Sequence, residues 1–439
     1  MATRVRETER KYEPADAGQL AGVPGLDGGE EVLLDAVYHD TADLRLARRG
    51  VTLRRRTGGA DEGWHLKLPL GGDTREEIRA KDAKRVPKAL ADLVLGLTRG
   101  EPLAPVGHIR TKRRRWELLD DDGRVAAEVV EDDVAAQTLG QSSEIKAWRE
   151  VEVELVEGGG EVFDTVERRL GRPSDAPPKL VRLLGDRLPG ERKQPNGITE
   201  YVQRQVKEIT RQDIRTRQDG EDSVHQMRVA SRRIRSVLQA YKGSRRLIRE
   251  LRWLGGVLAP ARDLEVLREH LQAEVATLPS ELVLGNVRQR LTETFAPREQ
   301  RARDEVLRTL NSERYFALLN RLDTLQVRPA HKKKRLRKTK RRIGRAWENG
   351  TLHDVRKAAK RVRYAAEATH KPKLARSMKK LQKRLGVHQD SVVARQELRA
   401  MGVQSHLDGD NAFTYGLLYG RELRRAERVE EPLARKRKV

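Results

Sequence analysis

The sequence predicts an α+β protein of two domains: an N-terminal eight-stranded antiparallel β-barrel, then an all-α domain that duplicates a helical bundle. Three observations carry this. Residues 1–190 break into short alternating segments separated by Gly- and Asp-rich turns. Beyond about residue 197, apolar side chains recur at helical spacing. Two stretches 128 positions apart in that second half also match one another. Charge changes at the same place: residues 1–190 carry 32 Lys+Arg and 36 Asp+Glu, a balance of −4, whereas the remainder carries 59 and 30, a balance of +29.

Strands are expected over Arg4–Tyr12, Glu31–Tyr38, Val51–Arg56, Trp64–Leu70, Thr74–Arg79, Ile109–Leu118, Arg124–Val130 and Trp148–Val156. About eight such strands suit a closed barrel or a sandwich. Short helical segments follow at Val162–Leu170 and Lys179–Leu188, and Pro189–Gly197 reads as the domain boundary, with residues 191–197 as linker. Helices fill residues 198–432, in repeats of about 198–328 and 329–432. Breaks are expected at Gly220, Pro260, Pro279, Pro297, Pro329 and Gly350, and a frayed basic tail at 433–439.

Charge alternation favours closure of the barrel. Glu7, Glu9 and Lys11 share one face of the first strand, and Glu150, Glu152 and Glu154 share one face of the last. Arg54 with Arg56, Arg75 with Glu77 and Arg79, and Glu128 with Asp132 repeat the device. Turned inward, these faces form a channel of opposed charges, which is costly unless a ligand reconciles them. A polyphosphate with a divalent cation does so.

These segments resemble the CYTH, or triphosphate tunnel metalloenzyme, family. Glu7-Thr-Glu-Arg-Lys11 is similar to its ExExK signature; Tyr38–Arg56, Trp64–Lys67 and Trp148–Glu154 follow in the expected order. The resemblance implies an eight-stranded tunnel acting on triphosphates with Mg2+ or Mn2+. It assigns Glu7, Glu9 and Lys11 to catalysis and Glu7, Glu9, Glu128, Asp132, Glu150, Glu152 and Glu154 to metal. Lys11, Arg54, Arg56, Lys67, Arg75, Arg79 and Arg113 would hold phosphates, with several registers open around Arg113 and threonine at position 111 where the family has lysine. Asp40 and Asp43 are expected to shape a turn, and His39 and His65 to pack on the face away from the channel.

In the second half, His225, Arg228, Arg232, Arg233 and Arg235 align with His353, Arg356, Lys360, Arg361 and Arg363. The spacing i, i+3, i+7, i+10 makes a cationic ridge in each copy, and Asp263 and Asp390 also correspond, each placed to hold an Arg or His. The pattern resembles CHAD domains, with Lys357 where the family has valine. That resemblance implies two four-helix bundles across a basic cleft that binds inorganic polyphosphate, with the two histidines adding charge near pH 6. Lys332–Arg335 and Arg337–Arg342, unmatched in the first copy, read equally as an extension of that track or a solvated face.

Composition bounds the rest. The chain has no cysteine, which excludes disulfides and thiolate metal sites, and no apolar run of membrane-spanning length. Aromatics at 4% argue against base stacking and so against nucleic acid as the main partner. The expectation is a cytoplasmic inorganic triphosphatase, at polyphosphate granules if anywhere specific, that binds triphosphate and polyphosphate. A non-catalytic polyphosphate scaffold, an adenylate cyclase and a thiamine triphosphatase stay open as alternatives.

Overall fold

The computed structural model describes residues 3–13, 20, 23, 25–140, 143–188, 197–327 and 331–437, with side chains to residue 430. It divides into two compact units, residues 1–192 and 193–439. Most of the predicted boundary segment, Pro329 and Lys438 lie outside the described residues.

The first unit is a closed antiparallel barrel of eight strands: β1 (Thr3–Tyr12), β2 (Leu26–Asp40), β3 (Thr52–Thr57), β4 (Gly63–Gly71), β5 (Thr74–Ala80), β6 (Ala104–Leu119), β7 (Val125–Thr138) and β8 (Ile145–Leu155). Neighbours run β1-β5-β4-β3-β2-β6-β7-β8, and β8 returns to β1 with Glu9 opposite Glu154 and Lys11 opposite Glu152. Each expected strand is present. β2, β6 and β7 run longer than the alternation suggested, because their ends continue the ladder after the charge pattern lapses.

Apolar side chains on the outer faces are covered by helices. Val129, Val151 and Val153 pack against Phe163 and Val166 of α3 (Glu161–Leu170). The short helices α1 (Lys88–Leu93) and α2 (Leu95–Thr98), which the periodicity missed, bury Leu90, Val94 and Leu97. At one end of the barrel the interior itself turns apolar: Ala36, Tyr38, Ile109 and Val134 pack on Leu180, Leu183 and Leu184 of α4 (Lys179–Leu184). Gly107 allows this seat, since a Cβ there would stand 2.9 Å from a Leu183 methyl.

Nine helices are found among the described residues of the second unit: α5 (Ile198–Arg217), α6 (Ser223–Tyr241), α7 (Arg245–Ala276), α8 (Val287–Leu310), α9 (Glu313–Asp323), α10 (Lys332–Asn349), α11 (Leu352–Glu367), α12 (Pro372–Leu407) and α13 (Phe413–Arg437). At the 128-residue offset, α5–α8 correspond to α10–α13, and α9 belongs to the first copy alone. Of the α6 stripe expected from the spacing, Val224, Met227, Ile234, Leu238 and Tyr241, the last four are buried and Val224 is partly buried against the same core.

Two expected breaks are not breaks. Pro260 lies inside α7 and Pro297 inside α8. Leu247, Leu251, Leu254 and Leu258 of α7 belong to one apolar core, whereas Leu267, Leu271 and Val275 belong to another. In α8, Phe295 lies in the second core and Val306 in the first. Each proline therefore falls where its helix passes from one core to the next, so packing on both sides holds a helix that a lost N–H would weaken. The second of these cores joins α7 and α8 to α12 and α13, so the two copies share an interior that the duplication alone did not reveal. The tail is helical to Arg437 rather than frayed.

Candidate active site and phosphate-binding surface

Strand parity builds the tunnel. Odd positions of β1, β4, β5 and β6 and even positions of β2, β3, β7 and β8 point inward. They line a cavity of about 350 Å³ with Glu7, Glu9, Lys11, Arg54, Arg56, Lys67, Arg75, Arg79, Arg113, Glu128, Glu152 and Glu154. Asp132 and Glu150 share the inward faces but are fully buried, toward the end carrying α4.

The carboxylates separate into two groups whose oxygens converge within 4.8 Å: Glu7, Glu9 and Glu154, and Asp132, Glu150 and Glu152. The second group is already matched by cations. Arg113 forks onto Asp132 at 2.8 and 2.7 Å, and Lys11 reaches Glu150 at 3.0 Å and Glu152 at 2.5 Å. Lys179 reaches Asp132, Glu150 and Glu152 at 2.9, 2.6 and 2.9 Å. Glu128 pairs with Arg115 at 2.7 Å. In the first group, Lys67 lies 2.6 Å from Glu7, and Arg75 2.8 Å from Glu9. No hydrogen bond or ion pair to Glu154 occurs among the described residues.

The electrostatics follow from these contacts. Burial pushes the Glu154 carboxyl up to about 7, aided by the charges of Glu7 and Glu9. Burial also raises Glu7, against the pull of Lys67. For Glu152, burial is outweighed by Lys11, Lys179 and Arg113, which hold it well below the usual range. Burial would lower Lys67, Arg113 and Lys179, yet adjacent carboxylates raise all three. Arg56 is the exception, brought down to about 10 by burial and the neighbouring Arg54. Glu7 also meets Arg79 at 3.3 Å and Glu9 meets Lys67 at 3.8 Å, so within this group Glu154 is the carboxylate without a cationic partner among the described residues, and the all-oxygen donor set of the three suits a hard divalent cation.

Lys179 was missed and His65 misplaced, while Glu77, expected on the inward face of its strand, takes a larger part than the alternation assigned it. Lys179 enters from α4, outside any strand alternation. Glu77, 1% exposed, anchors the opposite wall: His65 lies 3.1 Å away, Lys67 3.7 Å and Arg54 3.8 Å, with Arg79 also on it. His65 shares the inward face with Lys67, two residues on, so its expected placement away from the channel is corrected. His39 does face outward, packing on Trp64 with ring centroids 4.8 Å apart. Asp40 shapes its turn by accepting hydrogen bonds from the N–H groups of Thr41, Leu46 and Ala47.

In the helical unit, α6 and α11 pack together, with the Tyr241 hydroxyl donating to the Ala365 carbonyl at 3.2 Å. This assembles Arg228, Arg232, Arg235, Arg356, Lys360 and Arg361, to which α7 adds Arg252, a residue the motif did not flag. Burial and the surrounding arginines bring Lys360 down to about 7, and Arg235 is lowered by the same causes. Arg228 also pairs with Asp263 at 2.7 Å, while burial raises Asp390 against the pull of Arg356 and His270.

Other motif residues have different settings. Arg363 binds Glu367 one turn on in α11 at 2.8 Å, and Arg233 of α6 lies 3.8 Å from the same carboxylate, so Arg233 links the two helices there. Lys357 is exposed, 3.8 Å from Asp354. His353 meets Gln389 at 2.9 Å. Burial and the charge of Arg262 lower His225, so it takes up a proton less readily than a free imidazole.

Family models match the same two units: a CYTH domain over residues 5–175 and a CHAD domain over residues 200–399. "Uncharacterized protein Rv2226" of Mycobacterium tuberculosis (strain ATCC 25618 / H37Rv) is 39% identical over 488 residues, covering 97% of this chain and 94% of that protein. Among solved structures, "PptA from Streptomyces chartreusis" aligns with TM-score 0.46 and 18% identity, over 55% of this chain and 98% of that one. The CHAD domain from the plant Ricinus communis aligns with TM-score 0.42 and 22% identity, over 55% and 90%. No helix among the described residues is long and apolar enough to cross a membrane. The chain belongs to the family of proteins in which a CYTH tunnel domain precedes a CHAD domain.

Proposed function

We propose that the tunnel hydrolyses inorganic triphosphate and short polyphosphate with Mg2+ or Mn2+, and that the helical domain binds longer polyphosphate. The observation that carries this reading is the convergent triad Glu7, Glu9 and Glu154, the last without a cationic partner among the described residues, facing the cations Lys67, Arg75, Arg54 and Arg113 within one cavity. The triad would hold the metal, which when bound supplies neutralisation of phosphoryl oxygens and a more acidic water. The chain's own part is positional. Arg54, Arg56, Lys67, Arg75 and Arg113 present donors from several walls, and phosphoryl oxygens can exchange with the carboxylates that now hold them. Among the described lining residues Tyr38 is the single aromatic, which favours an inorganic chain over a nucleotide or thiamine ester.

The test is phosphate release from inorganic, nucleoside and thiamine triphosphates with Mn2+ or Mg2+, with cyclic AMP formation followed in parallel. Inorganic triphosphate should be the best substrate, and Glu9→Gln should lower kcat/KM by at least about 100-fold. No release from any of them would favour the non-catalytic scaffold.

A further inference from the structure

The second carboxylate group raises a question of its own. Asp132, Glu150 and Glu152 converge as closely as the first group, and a divalent cation would find three carboxylates there. The Lys179 ammonium already stands among them, within 2.6 to 2.9 Å of all three. We propose that Lys179 is a built-in cation, occupying the second carboxylate group so that the tunnel takes a divalent ion only at Glu7, Glu9 and Glu154. This rests on the metal-dependent reading of the tunnel given above.

Two independent features hold the ammonium there. Its helix is seated by apolar packing, through Leu180, Leu183 and Leu184 on the barrel interior, so the side chain's origin does not depend on the ion pairs it makes. The charges also close: three carboxylates meet the three cations Lys11, Arg113 and Lys179 within 3.3 Å, and Arg182 stands farther off, 4.0 Å from Glu150. An added dication would leave an excess of two positive charges in a site excluded from water and would contact an ammonium directly. In the first group no single cation touches all three carboxylates: Lys67 lies 2.6 Å from Glu7 and 3.8 Å from Glu9, Arg75 2.8 Å from Glu9 and Arg79 3.3 Å from Glu7, and among the described residues none pairs with Glu154.

The experiment is Mn2+ binding to the full chain, with Mn2+ alone, by electron paramagnetic resonance titration. Wild type should bind an ion that disappears in Glu9→Gln and should lose none in Asp132→Asn. Lys179→Met, if folded by circular dichroism, should gain one ion, and adding Asp132→Asn to it should abolish that gain. Lys179→Arg should match wild type. A wild-type ion lost on Asp132→Asn overturns the proposal whatever the fate of the methionine variant. A folded Lys179→Met with no extra ion overturns it too. In both of those cases the Glu9-dependent ion would still be present. Wild type with no Glu9-dependent ion instead overturns the metal-dependent reading, and this inference with it.

Discussion

In the tunnel, cations lie against carboxylates of the lining; on α6 and α11, half-buried cations lie against one another. The difference is written in their acidities. Lys67, Arg113 and Lys179 are raised because Glu9, Asp132 and their neighbours outweigh burial. Lys360, Arg235 and Arg361 are lowered because burial and adjoining arginines act together. A cation with an internal counterion is preorganised, and a ligand must exchange for that counterion. A cation without one is strained in the free protein and is relieved by any anion that reaches it. The first arrangement suits chemistry on a short, metal-loaded anion, and the second suits retention of a long one.

The sharpest way to break this contrast is to remove one charge from each region. Glu77→Gln should destabilise the barrel by about 3–5 kcal/mol, because Lys67, Arg54 and Arg79 lose a fully buried partner. Lys360→Met should have the opposite sign, stabilising the helical unit by roughly 1–2 kcal/mol while weakening polyphosphate binding. Urea unfolding followed separately for the two units reads both. Equal signs would mean that the two regions do not differ in the way their charges are balanced.

Much of this contrast was legible in the sequence. Strand parity put Glu7, Glu9, Glu154, Arg54 and Arg75 in one channel, since a charged side chain repeated every second residue has only one face to occupy, and the CYTH resemblance added Lys67. The CHAD-like ridges were legible because helical spacing and duplication agreed. Lys179 was not: it sits in a six-residue helix after Pro177-Pro178, and only Leu180, Leu183 and Leu184 determine that it enters the barrel. His65 stands two residues before Lys67 on β4, so strand parity places both side chains on the inward face, against the expectation of outward packing. Pro260 and Pro297 read as breaks because a proline's local cost is visible in a sequence, whereas two cores gripping one helix are not. Arg233 and Arg363 carry the motif yet share Glu367, an acid outside both matched segments.

Salt separates the regions next. Six cations on α6 and α11 released from counterions predict a log–log slope near −4 for polyphosphate binding, by analogy with single-stranded nucleic acid. Raising salt from 50 to 200 mM should then cost roughly a few hundred-fold in affinity. In the tunnel the cations begin with internal partners, so KM for triphosphate should move much less over the same range. Fluorescence anisotropy with labelled polyphosphate, set beside steady-state kinetics, makes the comparison. Matching slopes would dissolve it.

A smaller effect comes from pH. Lys360 is brought from its ordinary value of 10.5 to about 7. Its folded value is below the unfolded one, so between about pH 7 and 10.5 the unfolded chain binds more protons and stability rises with pH through that window. Below pH 7 the lysine is charged in both states and the cost of burying its charge is fully present. A polyanion reverses the preference by stabilising the ammonium, so binding should take up a proton near neutrality. Polyphosphate affinity should fall up to about tenfold from pH 6 to 8, and Lys360→Arg should flatten that profile. Calorimetry in buffers of different ionisation enthalpy measures the uptake directly.

The smallest expected effect tests whether position rather than charge count decides. Lys357 lies in the second matched stretch and is a lysine of α11 like Lys360, three residues on. It is exposed on the outside of α11, and its nearest acid, Asp354, is 3.8 Å away on the same helix. An exposed pair of this kind contributes within about 0.5 kcal/mol. Lys357→Ala should therefore leave stability unchanged within error and alter polyphosphate affinity by less than about threefold, whereas Lys360→Ala, which removes a charge crowded by Arg228, Arg232 and Arg356, should weaken it by at least about tenfold. Equal losses for the two would mean that the polyanion reads the net charge of α11 and not the cluster made where α6 meets it.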